Sequence, residues 1–129
     1  MAKEGGAPGK QNRLLPAFIL LFLADQDAHG GALLNRLLDI IPGHQELDSG
    51  AVYRVLRDLE QRGCATSYWN TQDAGPAKRL YHITAEGFAE LELWYNDICW
   101  RKKNMEYFIQ QYRSLVMEPT SHEEADEKE

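Results

Sequence analysis

Tyr53, Arg54 and Arg57 crowd into one short stretch, and Lys78 stands directly before Arg79 further along. A guanidinium presents a planar fork of donors that fits two acceptors at once, an ammonium acts as a point charge, and a phenol adds one more donor. Together these groups suit a ligand made of acceptors and negative charge, such as the phosphates and guanine edges of DNA. Groups for bond-breaking chemistry are missing. The chain has no glycine-rich phosphate loop, no nucleophile elbow, no HExxH and no CxxC pair. His29, His44, His82 and His122 are scattered without ligand spacing, and Cys64 and Cys99 lie far apart. No catalytic residue, metal or cofactor is therefore expected, and the two cysteines read as ordinary buried thiols of a reducing compartment.

The elements that would position the basic groups follow from the apolar pattern. Residues 14–24 are apolar on nearly every side, with Pro16 tolerable in a first turn, and predict a buried helix. After a break at 25–30, Ala32, Leu33, Leu34, Leu37, Leu38 and Ile41 recur at helical spacing until Pro42-Gly43 stops them. Ser49 can cap a third helix over 50–62, which Gly63 closes. At about 100° per residue, Val52, Val55, Leu56 and Leu59 of that helix share one side, while Gly50, Tyr53, Arg54 and Arg57 share the other. One face packs and one carries guanidinium and phenol, as a helix laid in a major groove requires. Its start adds backbone N–H groups that favour phosphate near Ser49 and Gly50. An ordinary amphipathic helix with a solvated charged face shows the same pattern.

The hairpin that follows separates the two. Thr66, Tyr68 and Trp69 predict a strand over 65–70, residues 71–77 with Gly75-Pro76 form a loop, and 79–84 return as a second strand. Lys78 and Arg79 fall at the end of that loop, where a wing reaches flanking phosphates. A long helical pattern then begins near Glu86 and runs to about Met117, where Glu118-Pro119 should end it. Phe88, Leu91, Tyr95, Ile98, Met105, Ile109, Tyr112 and Val116 recur along it in alternating steps of three and four, interrupted only by Lys102. A helix of about 30 residues extends about 45 Å, too far for so small a body to cover, so the stripe calls for a second copy. Two-fold pairing places two third helices about 34 Å apart and implies a palindromic site.

The net charge of −6 does not oppose this. Residues 118–129 hold six acidic groups against one lysine, which leaves the rest of the chain at −1. A near-neutral body with locally gathered cations still binds phosphate, because screening makes near charges count most. The longest apolar run is too short for the roughly 20 residues that span a bilayer. A cytoplasmic location with no membrane partner is expected.

The residues Leu47-Asp48-Ser49-Gly50-Ala51-Val52-Tyr53, Leu56-Arg57-Asp58-Leu59-Glu60-Gln61-Arg62-Gly63 and Lys78-Arg79-Leu80-Tyr81-His82-Ile83-Thr84-Ala85-Glu86-Gly87 resemble the PadR family of bacterial transcriptional regulators. His29-Gly30 ahead of the second helix is similar too. The resemblance spans residues 14–93. It implies a mainly helical winged helix-turn-helix domain with a small β-hairpin and a long C-terminal dimerisation helix. The function it implies is that of a repressor, a homodimer that leaves its operator when a small molecule binds. Ser49, Gly50, Tyr53 and Arg57 would then belong to the recognition helix, with Lys78 and Arg79 contacting the DNA backbone. Arg54 stands where the family often has proline, Ala51 replaces a frequent hydroxyl residue, and Cys64-Ala65 replaces a more usual Leu-Val. Arg54 is expected to add a phosphate contact rather than read a base.

Trp94, Tyr95, Ile98 and Trp100 gather aromatic and apolar surface in the middle of the last helix, expected to serve as a stacking site for a planar effector and as part of the dimer interface. Relatives with a single last helix hold planar drugs between subunits at a tryptophan whose matching position here is Ile98, one turn after Trp94. The expected organisation is an N-terminal arm over 1–12, a winged-helix domain over 13–84, a dimerisation helix over 85–117 and a disordered acidic tail over 118–129. A winged helix used only for protein contact, without DNA, is the alternative.

Overall fold

A computed structural model describes residues 13–40, 47–71 and 75–124, with 118–124 given by their backbone alone. The expected arm at 1–12, the stop at Pro42-Gly43, the middle of the wing loop and the end of the tail lie outside the described residues. The elements are α1 (Leu15–Asp25), α2 (Gly30–Ile40), α3 (Ser49–Gln61), β1 (Ala65–Asn70), β2 (Lys78–Ile83) and α4 (Ala85–Glu124). The fold class is the expected one, mainly helical with one hairpin and a long last helix.

The core follows the apolar pattern. Leu15, Ile19, Leu20 and Leu23 of α1, Leu33 and Leu37 of α2, and Val52, Leu56 and Leu59 of α3 are fully buried. Each stabilises the fold by on the order of 2 kcal/mol through the apolar surface it removes from water. α1 enters with Pro16 in its first turn, where the missing N–H costs no hydrogen bond. The strands pair antiparallel, Ala65 opposite Ile83 and Asn70 opposite Lys78. A two-residue exchange then joins the α1–α2 linker to the far edge of β2, with Tyr81 N–H donating to the Ala28 carbonyl at 2.9 Å and Ala28 N–H to the Tyr81 carbonyl at 3.2 Å. The hairpin is thereby held at its root from both sides.

Four expectations are corrected. The cap of α3 is Asp48, not Ser49: Asp48 is extended, and its Oδ1 accepts the Ala51 N–H at 3.0 Å. A carboxylate also gains from the positive end of the helix, so Ser49 becomes the first helical residue. The second strand begins at Lys78 and ends at Ile83, because Thr84 is spent on capping α4; its Oγ1 accepts the Gly87 N–H at 3.1 Å and donates to the Gly63 carbonyl at 2.6 Å. Cys64 is buried as expected but Cys99 is exposed, since it sits on the stretch of α4 that has little chain around it. The last helix passes Glu118-Pro119 and continues to Glu124, against the low helix propensity of Pro119, Thr120, Ser121 and His122.

The chain divides into two units, Met1–Leu93 and Trp94–Glu129. The first takes in the opening turns of α4 for a specific reason. Gly63 closes α3 at a φ of +81°, a conformation that glycine adopts without strain, and turns the chain so that Cys64 meets α4. The Thr84 N–H donates to the Cys64 carbonyl at 3.1 Å. Gly87 then packs so closely that a Cβ there would collide with the Cys64 carbonyl oxygen and come within 2.6 Å of Ile83. Arg62 completes the joint: its Nε donates to Asp58 at 2.8 Å, and its two terminal nitrogens donate to the two oxygens of Glu90. These partners raise the Arg62 pKa, with Glu90 contributing most. The Cys64 thiol is pushed up by burial and by its neighbour Glu90, which removes it from nucleophilic chemistry.

Gly87→Ala is expected to lose about 1–2 kcal/mol of stability in urea unfolding, even though alanine favours helix by about 1 kcal/mol, because overpacking against a backbone carbonyl outweighs the propensity gain. A neutral or stabilising result would contradict the close contact.

Candidate nucleic-acid interface

α3 presents the two faces that its sequence requires. Ala51, Val52, Leu56 and Leu59 are buried, Val55 is half-buried, and Gly50, Tyr53, Arg54 and Arg57 are exposed. Ser49 is exposed on the first turn. On the hairpin, the register puts Ser67 opposite Tyr81 and Trp69 opposite Arg79, so these four share one strand face. Between α3 and this face lies a concavity of about 660 Å³, lined by Tyr53, Arg57, Glu60 and Gln61 of α3, by Trp69, Lys78, Arg79 and Tyr81 of the hairpin, by Ala77 of its loop, and by His29 before α2.

The cations around it are not equivalent. Arg79 Nε donates to Ser67 Oγ at 2.9 Å, its terminal nitrogen lies 3.5 Å from Glu60, and Ser67 in turn donates to Glu60 at 2.8 Å. Its guanidinium carbon also stands 5.9 Å from the ring centres of both Trp69 and Tyr81, within cation–π range. Arg79 is thus occupied in fastening β2 to α3, and its charge offsets that of Glu60. Arg57 and Lys78 have no ion-pair partner among the described residues. The positive charge that the concavity offers a ligand is theirs.

Tyr53 reaches this site because of Gly30. A Cβ on Gly30 would lie 2.6 Å from a ring carbon of Tyr53 and 2.7 Å from its hydroxyl, so the phenol crosses the start of α2 only where there is no side chain. Arg54 goes elsewhere. A Cβ on Gly50 would lie 3.5 Å from an Arg54 nitrogen, and Arg54 lines a separate hollow of about 220 Å³ with Leu15, Pro16, Ala51, Val55 and Asp58. Ser49, Gly50 and Arg54 therefore form the opening turn of α3, while Tyr53, Arg57 and Lys78 form a second group with the hairpin.

His29 and Gly30 escaped selection as site residues, as did Glu60, Ser67 and Trp69. The only sequence signal was the His-Gly pair itself, and three-residue spacing of Glu60 from Arg57, which puts both on one side of α3. His29 Nδ1 accepts the N–H groups of Gly31 at 3.1 Å and Ala32 at 3.3 Å, capping α2. Burial and the nearby Lys78 hold its pKa below the ordinary value. On the opposite face of the hairpin, Asp27 accepts the Tyr68 hydroxyl at 2.6 Å and meets His82 Nδ1 at 2.8 Å. Burial would raise the Asp27 pKa, but these partners outweigh it and the carboxyl lies below its ordinary value.

In the second unit the expected effector residues lie on unbroken helix. Tyr95 and Trp100 are exposed and Trp94 and Ile98 half-buried. Trp100 is about 200° around the helix from Ile98, so the four do not share a face. The apolar stripe is exposed through Met105, Ile109, Tyr112 and Val116, and Phe108 and Leu115 widen it on one side. Arg101 pairs with Asp97 one turn earlier at 2.7 Å. Among the described residues no helix is long and apolar enough to cross a membrane, and no group of His, Cys, Asp and Glu is arranged to hold a metal ion.

Residues 19–93 match the family model described as the transcriptional regulator PadR-like family. No curated protein matches the chain. Among solved structures, the chain is similar to a conserved protein of unknown function, TM0937, described as a potential transcriptional factor, with 29% identity over 89% of this chain and 98% of that one and a TM-score of 0.70. It is similar in fold to a PadR family transcription regulator from Clostridium difficile, at 24% identity over 74% of this chain and 98% of that one with a TM-score of 0.67. A putative transcriptional regulator from Thermoplasma acidophilum shares the fold at 22% identity over 79% and 96% of the two chains, with a TM-score of 0.68.

The depressed His29 pKa has a signed consequence. The neutral ring caps α2, and the unfolded chain takes up the proton first. The stability that His29 contributes is whole above its ordinary value of 6.5 and is lost as pH falls through the lower folded value. Urea unfolding between pH 8 and about pH 5 is expected to show a decline that His29→Asn, which keeps a cap without titrating, reduces. Identical pH profiles for the two proteins would refute this.

Proposed function

The chain belongs to the PadR-like family of transcriptional regulators, and from that premise we propose that it is a sequence-specific DNA-binding repressor acting as a homodimer. The observation that carries this is the concavity in which Tyr53 and Arg57 of α3 and Lys78 of the hairpin come together while Arg79 neutralises Glu60. A major groove accepts a helix, arginine pairs bidentately with a guanine edge, and lysine and tyrosine hold the flanking backbone. Arg57 is the residue assigned to base reading and Lys78 to phosphate. Arg54, with Ser49 and Gly50, meets phosphate on the other flank, where the start of α3 adds its N–H groups. Arg79 supports the wing from behind rather than contacting DNA.

The exposed stripe of α4 supports the pairing of two chains. Two copies joined along Met105, Ile109, Tyr112 and Val116 would bury a continuous apolar seam and present two α3 helices to successive grooves of a palindrome. Release by a planar aromatic effector belongs to the same proposal, with Trp94 and Tyr95 as the stacking residues and Ile98 as an apolar contact beside them. Trp100, on the other side of the helix, would serve only if the partner chain folds back over it. Cytoplasmic location follows from a DNA partner.

Operator selection from a random duplex library tests the central claim. Arg57→Ala is expected to weaken binding to the selected site by about 1–3 kcal/mol and to relax preference at one base position. Lys78→Ala is expected to weaken binding to all sequences and to lower the salt slope by about one. If neither variant nor Arg54→Ala changes affinity or salt dependence, the surface is a protein-contact module instead. Ile109→Glu is expected to turn the dimer into a monomer in sedimentation and to abolish tight operator binding, since one half-site then binds alone. Quenching of tryptophan fluorescence by planar phenols or cationic dyes tests the effector, and no quenching with any of them removes it.

A further inference from the structure

His29 does two things at once, and the first dictates the second. Its Nδ1 accepts two backbone N–H groups at the start of α2. An accepting nitrogen carries no proton, so the neutral ring must hold its proton on Nε2. The cap thereby fixes the tautomer and the ring orientation, and leaves one polar atom, an N–H donor, on a ring that lines the concavity with Tyr53, Arg57 and Lys78.

The surroundings select what that donor can meet. The Tyr53 hydroxyl lies over Gly30, next to His29, and Lys78 is near enough to disfavour the imidazolium. The start of α2 adds the partial positive charge of a helix N-terminus. Glu60, the acidic group lining the concavity, is engaged by Ser67 and Arg79. This corner therefore holds donors and positive charge with its acceptor already satisfied. A phosphodiester oxygen is acceptor only and negative, and is the complement of such a corner.

We propose that His29 is a further DNA-contacting residue, whose uncharged Nε2–H donates to a backbone phosphate held beside Tyr53 and Lys78. This rests on the concavity being the DNA-binding surface. A neutral donor adds affinity and register without displacing a counterion, so its signature differs from that of a lysine.

His29→Asn and His29→Ser test it, because both side chains cap a helix well and neither reaches the concavity. Binding of the full chain to a labelled mixed-sequence duplex of about 30 base pairs, enough for two half-sites, is measured across a salt series beside thermal unfolding. Expected are near-native melting at neutral pH, affinity reduced about ten-fold at every salt, and an unchanged salt slope, against a slope lowered by about one for Lys78→Ala. Native affinity in both variants would reduce His29 to a cap, and a lowered slope would mean a charged contact; either overturns the proposal. Nitrogen-15 histidine spectra of the wild-type chain provide a readout independent of folding in the variants. They should show the Nε2–H form both free and bound, with that proton moving when duplex is added; an Nδ1–H form, or no movement, overturns the proposal as well. Failure of the wild-type chain to bind any duplex is a separate result, which refutes the DNA-binding function itself.

Discussion

The first unit hinges on the approach of Gly87 to the Cys64 carbonyl. That contact fixes where α4 starts, and α4 starts where the hairpin ends, so the position of β2 against α3 follows from it. Thr84 ties the same point to Gly63 and Cys64, while Arg62 braces the end of α3 against Glu90 on the first turns of α4. Surface ion pairs taken singly contribute little, about 0–1 kcal/mol. Here a bidentate pair joins the residue that ends α3 to α4, beside the close approach of Gly87 to the Cys64 carbonyl, so it fixes an angle more than it adds stability. Any change in the direction of α4 must pass through this joint before it reaches Tyr53 or Arg57.

Much of this arrangement was legible in the sequence. The division of α3 into a packed face and a basic face follows from helical spacing, and Thr66, Tyr68 and Trp69 with the Gly-Pro turn suffice to place the hairpin. The order of the parts follows from the same apolar spacing and turn residues, and family resemblance added what that order implies for function. What remained hidden depends on partners distant in sequence. That Arg79 is committed to Glu60 and Ser67 could not be read from a Lys-Arg pair at a loop end, because the neutralising carboxylate comes from another element. The dependence of Tyr53 on Gly30 is equally invisible, since it needs two helices to be brought within van der Waals distance. Cap identity failed more narrowly: Asp48 and Ser49 are adjacent and both are good caps, and only the backbone dihedral decides between them. The end of α4 differs from the expectation because a proline and an acidic run read as a stop, whereas the backbone continues through them to Glu124 in spite of the low helix propensity of the proline.

The hairpin shows how two strands, which alone are marginal in water, become a fixed element. Ala28 pairs with Tyr81 on the outer edge of β2, and Asp27 gathers Tyr68 and His82 on the outer face. On the inner face Arg79 lies near both Trp69 and Tyr81. The root of the wing is thus gripped on both faces, and Lys78 leaves it from a defined point.

The pairing of Arg79 with Glu60 also bears on how such a protein distributes itself inside a cell. Binding to arbitrary DNA is set by the number of cations free to displace counterions. Under the function proposed above, a wing that withholds one of its two cations in a pair with Glu60, on a body of near-zero net charge, would hold DNA of arbitrary sequence weakly. The many competing sites of a genome would then sequester fewer copies of it, and a small number of molecules would suffice to keep a true site filled. Occupancy at low copy number would in this sense be the product of the Arg79–Glu60 salt bridge.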